Sequence, residues 1–460
     1  MTKDVLDYFK TICSIPHPSG HEELLGNYIE EFAQNHELDY ARNEIGDIII
    51  YKEATPGYAD HAPILLQGHM DMVAEKDEDS CHDFLTDPLE IYEEDGYLHA
   101  TKTTLGADDG VAVAIMLALL SDNSFKHPRL ECLFTVQEET TMDGITHVDK
   151  DWIHARKMIS LDGDVVGETN VSSAGGVQLT IRKNATFVES HDQGYKFYVK
   201  GLLGGHSGDA IKIAGLVLKA CLDNGFDIRF SSLNAGQKAN AICRDGLFTF
   251  QSTSNKEELK TFIHERMEEQ KALYPLEPLD YTLEEEQSGH VILDSDALIH
   301  FLALCPYGVE KYSYYFNHFP VLSLNLGIME TTEKAVELIL LLRSENEINL
   351  KLLVNEVETL ASLFGLSVTP TDEYYGWSYD PDSQLRKSYK EAYKKAYDKE
   401  LKEVPTHGGL ETGHMSRIFP DMDIVTMGPN CIDIHIPKER LEIKTLYEVH
   451  DFIKNWLGEL

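Results

Sequence analysis

The sequence predicts an α/β protein carrying a large inserted α+β domain, and three observations predict it. Strand-like and helix-like runs alternate along most of the chain, the pattern of layered α/β domains. Acids come directly after apolar strand-like runs, at Glu131–Cys132–Leu133–Phe134–Thr135–Val136 into Gln137–Glu138–Glu139 and at Met158–Ile159–Ser160–Leu161 into Asp162. Open α/β sheets collect their active sites at such strand ends. The chain then changes character after the small-residue stretch Val171–Ser172–Ser173–Ala174–Gly175–Gly176 and returns near Tyr374–Tyr375–Gly376–Trp377. Residues 1–175 and 376–460 are therefore expected to form one discontinuous domain, and residues 176–375 the insertion. With 460 residues and 42% hydrophobic content, the chain can bury a core in each.

In chain order, residues 4–12 and 21–35 have the apolar spacing of amphipathic helices, broken by a turn with Pro16, Pro18 and Gly20. Residues 46–51 and 63–67 read as strands. From Val111 to Leu120 every residue is apolar, so a buried helix is expected there. Asp108 and Asp109 then fall at its amino end, where the helix dipole favours carboxylates. In the insertion, residues 177–181 and 195–200 read as strands, 211–222 as an apolar helix, and 234–242 as a loop running into a strand. Residues 320–327 and 334–343 repeat the helix-and-strand style. After the return, 383–398 reads as a polar amphipathic helix, 406–413 as a Gly-rich loop and 444–456 as a closing amphipathic helix.

Asp and Glu total 78 against 40 Lys and Arg, a formal charge of −38. That excludes nucleic acid and anionic membrane as partners, and an anionic substrate group would need a local basic anchor. No run of about 18 apolar residues occurs, so no membrane span is expected, and the amino terminus lacks the apolar core of a signal peptide. Seven cysteines are dispersed without metal or redox spacing, which fits reduced thiols in a cytoplasmic protein.

The chemistry centres on Gln67–Gly68–His69–Met70–Asp71. On extended backbone, residues two apart project to one side, so His69 and Asp71 can enter one pocket. A carboxylate there suits an imidazole ligand whose other ring nitrogen needs orienting. Alone, His-x-Asp is more often polar surface, and each carboxylate alone is more often a surface acid. The reading gains weight from the conjunction with Gly106–Ala107–Asp108–Asp109–Gly110, Gln137–Glu138–Glu139, Asp162 and the late His435.

Taken together, and in this order, these motifs resemble the co-catalytic di-zinc peptidases, a family that includes carnosine dipeptidases, tripeptidases, aminoacylases and glutamate carboxypeptidases. The resemblance spans nearly the whole chain. Leu66 to Val73, His82 to Pro88, Ser173 to Gly176, His407–Gly408–Gly409–Leu410–Glu411 and the long second domain point to a dipeptidase branch. Asp109 stands where some relatives carry Asn.

The resemblance implies a catalytic domain with a mixed sheet flanked by helices, and a lid or dimerisation role for the insertion: either it pairs with a second subunit, the preferred homodimer, or its extra length supplies both halves within one chain. It implies two Zn2+ per chain, with Co2+ or Mn2+ as substitutes: His69 and Asp162 on one, Glu139 and His435 on the other, Asp108 bridging. Imidazole and carboxylate suit zinc, and a shared carboxylate suits cations about 3.5–4 Å apart. A cis peptide after Asp108 is also implied. Asp71 would orient His69, and Glu138 would be the general base, placed with Glu139 where the strand ends because neighbours on a strand face opposite ways. His206 reads either as a turn residue in a Gly-rich loop or as a donor to the substrate carbonyl oxygen. Asn240 and Arg343 are candidates for gripping the substrate carboxylate, with helix-end surface the alternative for Arg343. His407 and Glu411 either border the substrate's amino end or belong to a plain loop. The implied activity is hydrolysis of small unblocked dipeptides, Xaa-His dipeptides among them. N-acyl-amino-acid deacylation or tripeptide cleavage is the alternative within the family. A metal-binding scaffold without catalysis is the alternative outside it, and the presence of Glu138, which holding metal does not require, speaks against that.

Overall fold

The computed structural model describes residues 3–203, 208–287 and 289–460. The chain divides into two compact units, Met1–Ser173 with Gly376–Leu460, and Ala174–Tyr375.

The first unit is built on a six-stranded mixed sheet. Its order is Asp39–Arg42, Ile48–Lys52, Leu130–Thr135, Ile64–His69, Lys157–Ser160 and Asp423–Thr426. The first three strands pair antiparallel and the last four parallel. Every residue of Ile64–His69 and Leu130–Thr135 is buried, as parallel strands covered on both faces require. The period of two divides the side chains between two cores. Ile48, Ile50, Ile64, Leu66, Cys132 and Phe134 join Phe9, Val111, Ile115 and Trp456 on one face. Ile49, Leu65 and Leu133 join Met158, Met415 and Phe419 on the other.

The expected helices appear as Val5–Cys13, Glu23–Asn35, Ala107–Ser121, Gln384–Tyr397 and Ile443–Leu457. Ala107–Ser121 is buried throughout its apolar run. At its far end the Lys52 ammonium donates to the carbonyls of Leu119, Leu120 and Asp122 at 2.9, 3.1 and 2.6 Å, a cation on the negative end of the helix. At its near end Asp108 and Asp109 have non-helical backbone and are joined by the expected cis peptide bond, so they sit at the amino end of a regular helix that starts at Gly110.

Gly68 lies where the central strand crosses this helix. A Cβ there would stand 2.3 Å from Ala112 Cβ and 2.6 Å from Asp109 Oδ2, and neither neighbour is a flexible chain end. Gly68→Ala is expected to destabilise the protein by about 1–3 kcal/mol, read as a lower denaturant midpoint.

The second unit is a nine-stranded antiparallel sheet in the order Asp280–Glu286, Gln193–Lys200, Gly246–Ser252, Arg229–Ala235, Pro320–Thr331, Ala335–Ser344, Gly175–Asn184 and Ser367–Tyr374, with Gly308–Tyr312 also pairing Pro320–Thr331. Helices Ala210–Asp223, Lys256–Leu273, Asp296–Leu304 and Glu347–Leu363 contribute to its core. Two expectations change here. Asn234 and Ala235 end a strand rather than open a loop, and the block around 320–344 is a pair of long strands, Arg343 lying within the second. Long β-branched and Leu-rich runs can be buried as strand or helix, and sheet pairing decides between them.

Six cysteines are buried and Cys81 is exposed, all seven as free thiols. Among the described residues no helix is long and apolar enough to cross a membrane.

His414, on the short helix Glu411–Ile418, is buried, and burial pushes its imidazole down from 6.5 to about 4. The unfolded chain therefore takes up a proton near pH 6.5 that the folded chain refuses until about 4. Stability from this residue is complete above pH 6.5 and lost as pH falls through that window, by about 3 kcal/mol at most. Denaturant unfolding of His414→Leu between pH 7 and 4.5 is expected to show a shallower pH slope than the unsubstituted protein. An identical slope would remove His414 as its source.

Candidate metal centre

Three parallel strands deliver their carboxyl ends to one place. His69 is the last residue of the central strand, Glu138 and Glu139 come after the strand Leu130–Thr135, and Asp162 comes after Lys157–Ser160. Asp108 comes from the turn before the buried helix. His435 comes from the loop between Cys431–Ile432 and Arg440–Glu442.

The donor atoms converge in sets of three that lie within 4.8 Å of one another: His69, Asp108 and Asp162; Asp108, Glu139 and His435; and His69, Glu138 and Glu139. Asp108 belongs to two of them with a different oxygen in each. Its Oδ1 is 3.1 Å from His69 Nε2 and its Oδ2 is 3.0 Å from His435 Nε2. His435 Nε2 is also 2.8 Å from Glu139 Oε1, and His69 Nε2 is 4.0 Å from Asp162 Oδ1.

The electrostatics suit a divalent cation. Burial pushes the Asp162 and Asp109 carboxyls well above the usual range, with neighbouring acids adding to the effect. Asp164 and Glu138 are pushed up to about 7, again mainly by burial. Burial would raise Asp108 too, but hydrogen bonds and charge from His435 and His69 hold it well below the usual range. His435 is raised to about 10 by its bonds to Asp108 and Glu139. So many buried acids around two imidazoles repel one another, and positive charge held among them removes the conflict. The oxygen and imidazole set fits zinc.

The turn that carries Glu138 and Glu139 is held by its backbone. Gln137 has φ of 59°, in the left-handed region, and four successive amides meet carboxylates. Val136 N donates to Asp47 at 3.1 Å, Gln137 N to Glu22 at 3.2 Å, Glu138 N to Asp71 Oδ1 at 3.0 Å and Glu139 N to Asp71 Oδ2 at 3.2 Å. Asp71 thus does more than the spacing suggests. His69 Nδ1 lies 3.0 Å from the Asp71 backbone carbonyl and 3.4 Å from its carboxylate, which also accepts from the Ser19 hydroxyl at 2.7 Å. Sequence reasoning misses Glu22, Asp47 and Ser19, since acids and hydroxyls in turns are the commonest surface residues. It marks Asp109 only for its place beside Asp108, yet the Asp109 carboxylate accepts from His69 N at 3.2 Å.

The other expected site residues that the structure describes fall outside the three donor sets. Glu411 is not on an open loop: it starts a helix, is 2% exposed, and accepts from Gln67 Nε2 at 2.5 Å and Thr135 Oγ1 at 2.7 Å. Its carboxyl is buried beside the two central strands, close enough to the metal cluster for the charges of Glu138 and His69 to act on it. His407 is half-buried before that helix and outside the converging donor sets. Asn240 is exposed in the second unit, in a turn whose Ala239 and Ala241 carbonyls accept from Asn325 Nδ2 at 2.6 and 2.7 Å. Arg343, also in that unit, is on a strand rather than at a helix end, and its Nε donates to the Tyr374 hydroxyl at 3.2 Å. His206 lies outside the described residues.

Comparison with known proteins bears on this geometry. The model of peptidase family M20/M25/M40 matches residues 65–459. The cytosol non-specific dipeptidase of Escherichia coli K12 is 32% identical over 472 residues, covering 99% of this chain and 97% of that protein. The crystal structure of aminoacylhistidine dipeptidase from Vibrio alginolyticus is 30% identical with a TM-score of 0.92, covering 99% and 96%. A tripeptidase from Staphylococcus aureus shares the fold at 16% identity and a TM-score of 0.57, covering 100% and 98%.

Proposed function

The chain belongs to peptidase family M20/M25/M40 and is a dipeptidase, and we propose that it hydrolyses unblocked dipeptides, including Xaa-His dipeptides, at the cluster around Asp108. The observation that carries the site is the pair of donor sets sharing Asp108, with the Glu138 carboxyl beside them. His69 and Asp162 would hold one zinc ion, Glu139 and His435 the other, and Asp108 both. Divalent cations held there supply Lewis-acid polarisation of the peptide carbonyl and acidify the attacking water.

The chain's own residues do the rest. Glu138, half-buried and with its carboxyl raised by desolvation, takes the proton of the attacking water and passes it to the leaving amine. Asp71 holds the Glu138 and Glu139 amides, so base and ligand keep a fixed separation while the proton moves. His69 is kept in one orientation by the Asp71 carbonyl at its Nδ1, leaving Nε2 toward the centre. The relative named for the cytosol, the dispersed free thiols and the acidic surface support a cytosolic setting.

The test is hydrolysis of β-alanyl-histidine, several α-dipeptides and an N-acyl-amino acid, before and after chelation and zinc readdition. Chelator-sensitive cleavage of the free-amine dipeptides, restored by zinc, is the expected result. Cleavage of the acylated substrate alone would overturn the proposed specificity.

A further inference from the structure

Four consecutive backbone amides converge on one buried carboxylate outside the donor sets. Glu439 Oε2 accepts from Leu105 N at 2.7 Å and Gly106 N at 3.0 Å, and Oε1 from Ala107 N at 2.7 Å and Asp108 N at 3.3 Å. Glu439 is 3% exposed. The amides line the turn that leads into the buried helix, ahead of its regular part. Gly106 has φ of +67°, and a Cβ there would stand 3.0 Å from Met72 Sδ, so the turn that gathers these amides requires glycine. Successive amides gathered in a turn form an anion site, and here the chain supplies the anion itself.

The same residue secures the other side of the centre. Cys431–Ile432 pairs antiparallel with Arg440–Glu442, which makes residues 433–439 a closed loop with His435 inside it. That loop has little internal support. Asp433 and His435 both have left-handed backbone, with φ of 56° and 64°, and the His435 side chain is 45% exposed. Besides the contacts of His435 itself, its fastenings include the Arg440–Asp433 ion pair, the Glu439 N–H on the Ile436 carbonyl at 3.0 Å, and the Glu439 carboxylate on the Asp108 turn. Asp108 and His435, 327 residues apart, are thereby joined at a second point besides their own 3.0 Å contact.

We infer that Glu439 is a positioning residue of the metal centre: it clamps the turn of Asp108 to the loop of His435 and so sets the affinity of that pair for a divalent cation. Glu439 itself is in none of the converging donor sets. The inference rests on the metal-centre reading above.

The experiment measures zinc affinity of chelator-stripped protein by competition with a chromophoric chelator, for Glu439→Gln, Glu439→Asp and Glu131→Gln. An amide cannot accept four N–H bonds, since its NH2 group faces two of the donors. Glu439→Gln is expected to bind zinc about 10–100-fold more weakly. Glu439→Asp keeps the charge but is one methylene short, and is expected to fall between. Glu131→Gln is the matched control: Glu131 is buried in the same unit and accepts the His154 and Ala155 amides at 2.9 and 3.0 Å, at the opposite end of its strand from Glu138. It is expected to lose stability while binding zinc within about twofold of the unsubstituted protein. Unchanged affinity in Glu439→Asp, or equal weakening in Glu131→Gln, would overturn the positioning role. If Glu439→Gln does not fold, the Asp variant decides. If the unsubstituted protein itself binds no zinc, the metal-centre reading fails, and this inference with it.

Discussion

Glu138→Gln is expected to slow dipeptide turnover by about 10²–10⁴-fold while zinc stays bound. The substitution is nearly isosteric, and the Glu138 amide keeps its bond to Asp71, so the turn should survive. The variant loses a group able to accept a proton. The zinc measurement matters as much as the rate, because Glu138 also shares a donor set with His69 and Glu139. Lost zinc would make Glu138 a ligand, and unchanged turnover would remove it from the mechanism. The pH profile gives an independent reading. Burial raises the Glu138 carboxyl to about 7, and nearby cations pull it down again. Below its pKa the carboxyl is protonated and cannot act as base, so kcat/KM should fall on the acid side, beneath pH 7. That limb should be absent from the residual activity of Glu138→Gln.

Asp108→Ala is expected to empty the centre. Each of its oxygens faces a different histidine, at 3.1 and 3.0 Å, so one truncation reduces the two donor sets that contain it to pairs. Metal content measured on the purified variant should drop from about two zinc ions per chain to near none, and turnover should fall by at least about 10³-fold. Retention of both ions would show that Asp108 is not shared. Asp162→Ala, which truncates one set only, is expected to keep about one zinc ion.

These two effects exceed those of Gly68 and His414 because they act on the reacting centre rather than on the balance of folding. The structure also shows how that centre is held. The Glu138–Glu139 turn and the Asp108 turn each present four successive amides to carboxylates, three acids in one case and Glu439 alone in the other. Carboxylates therefore fill two roles a short distance apart: some face the centre, and others hold the backbone that aims them.

The α/β class, the buried strand at 64–69, the all-apolar helix and the acids at strand ends were legible in the sequence by itself. Each is a local pattern, set by the period of a strand or a helix and by the polar residues bordering an apolar run. His69 and Asp71 were legible as a pair because two residues of strand fix their direction. The cis peptide after Asp108 was implied by resemblance and is present. The fate of Glu411 and Glu439 was decided only in three dimensions. Glu411 finds Thr135 across 276 residues, and Glu439 finds Leu105 across 334. Nothing near Glu439 in the chain distinguishes it from a surface acid, and the Gly-rich motif that marks Glu411 does not say which strands its carboxyl meets. Arg343 and Asn234 were likewise placed by sheet pairing, where an apolar run becomes strand because a neighbouring strand accepts its hydrogen bonds. A carboxylate's partners depend on which strands lie side by side and in what register, and that is a property of the whole sheet rather than of any segment.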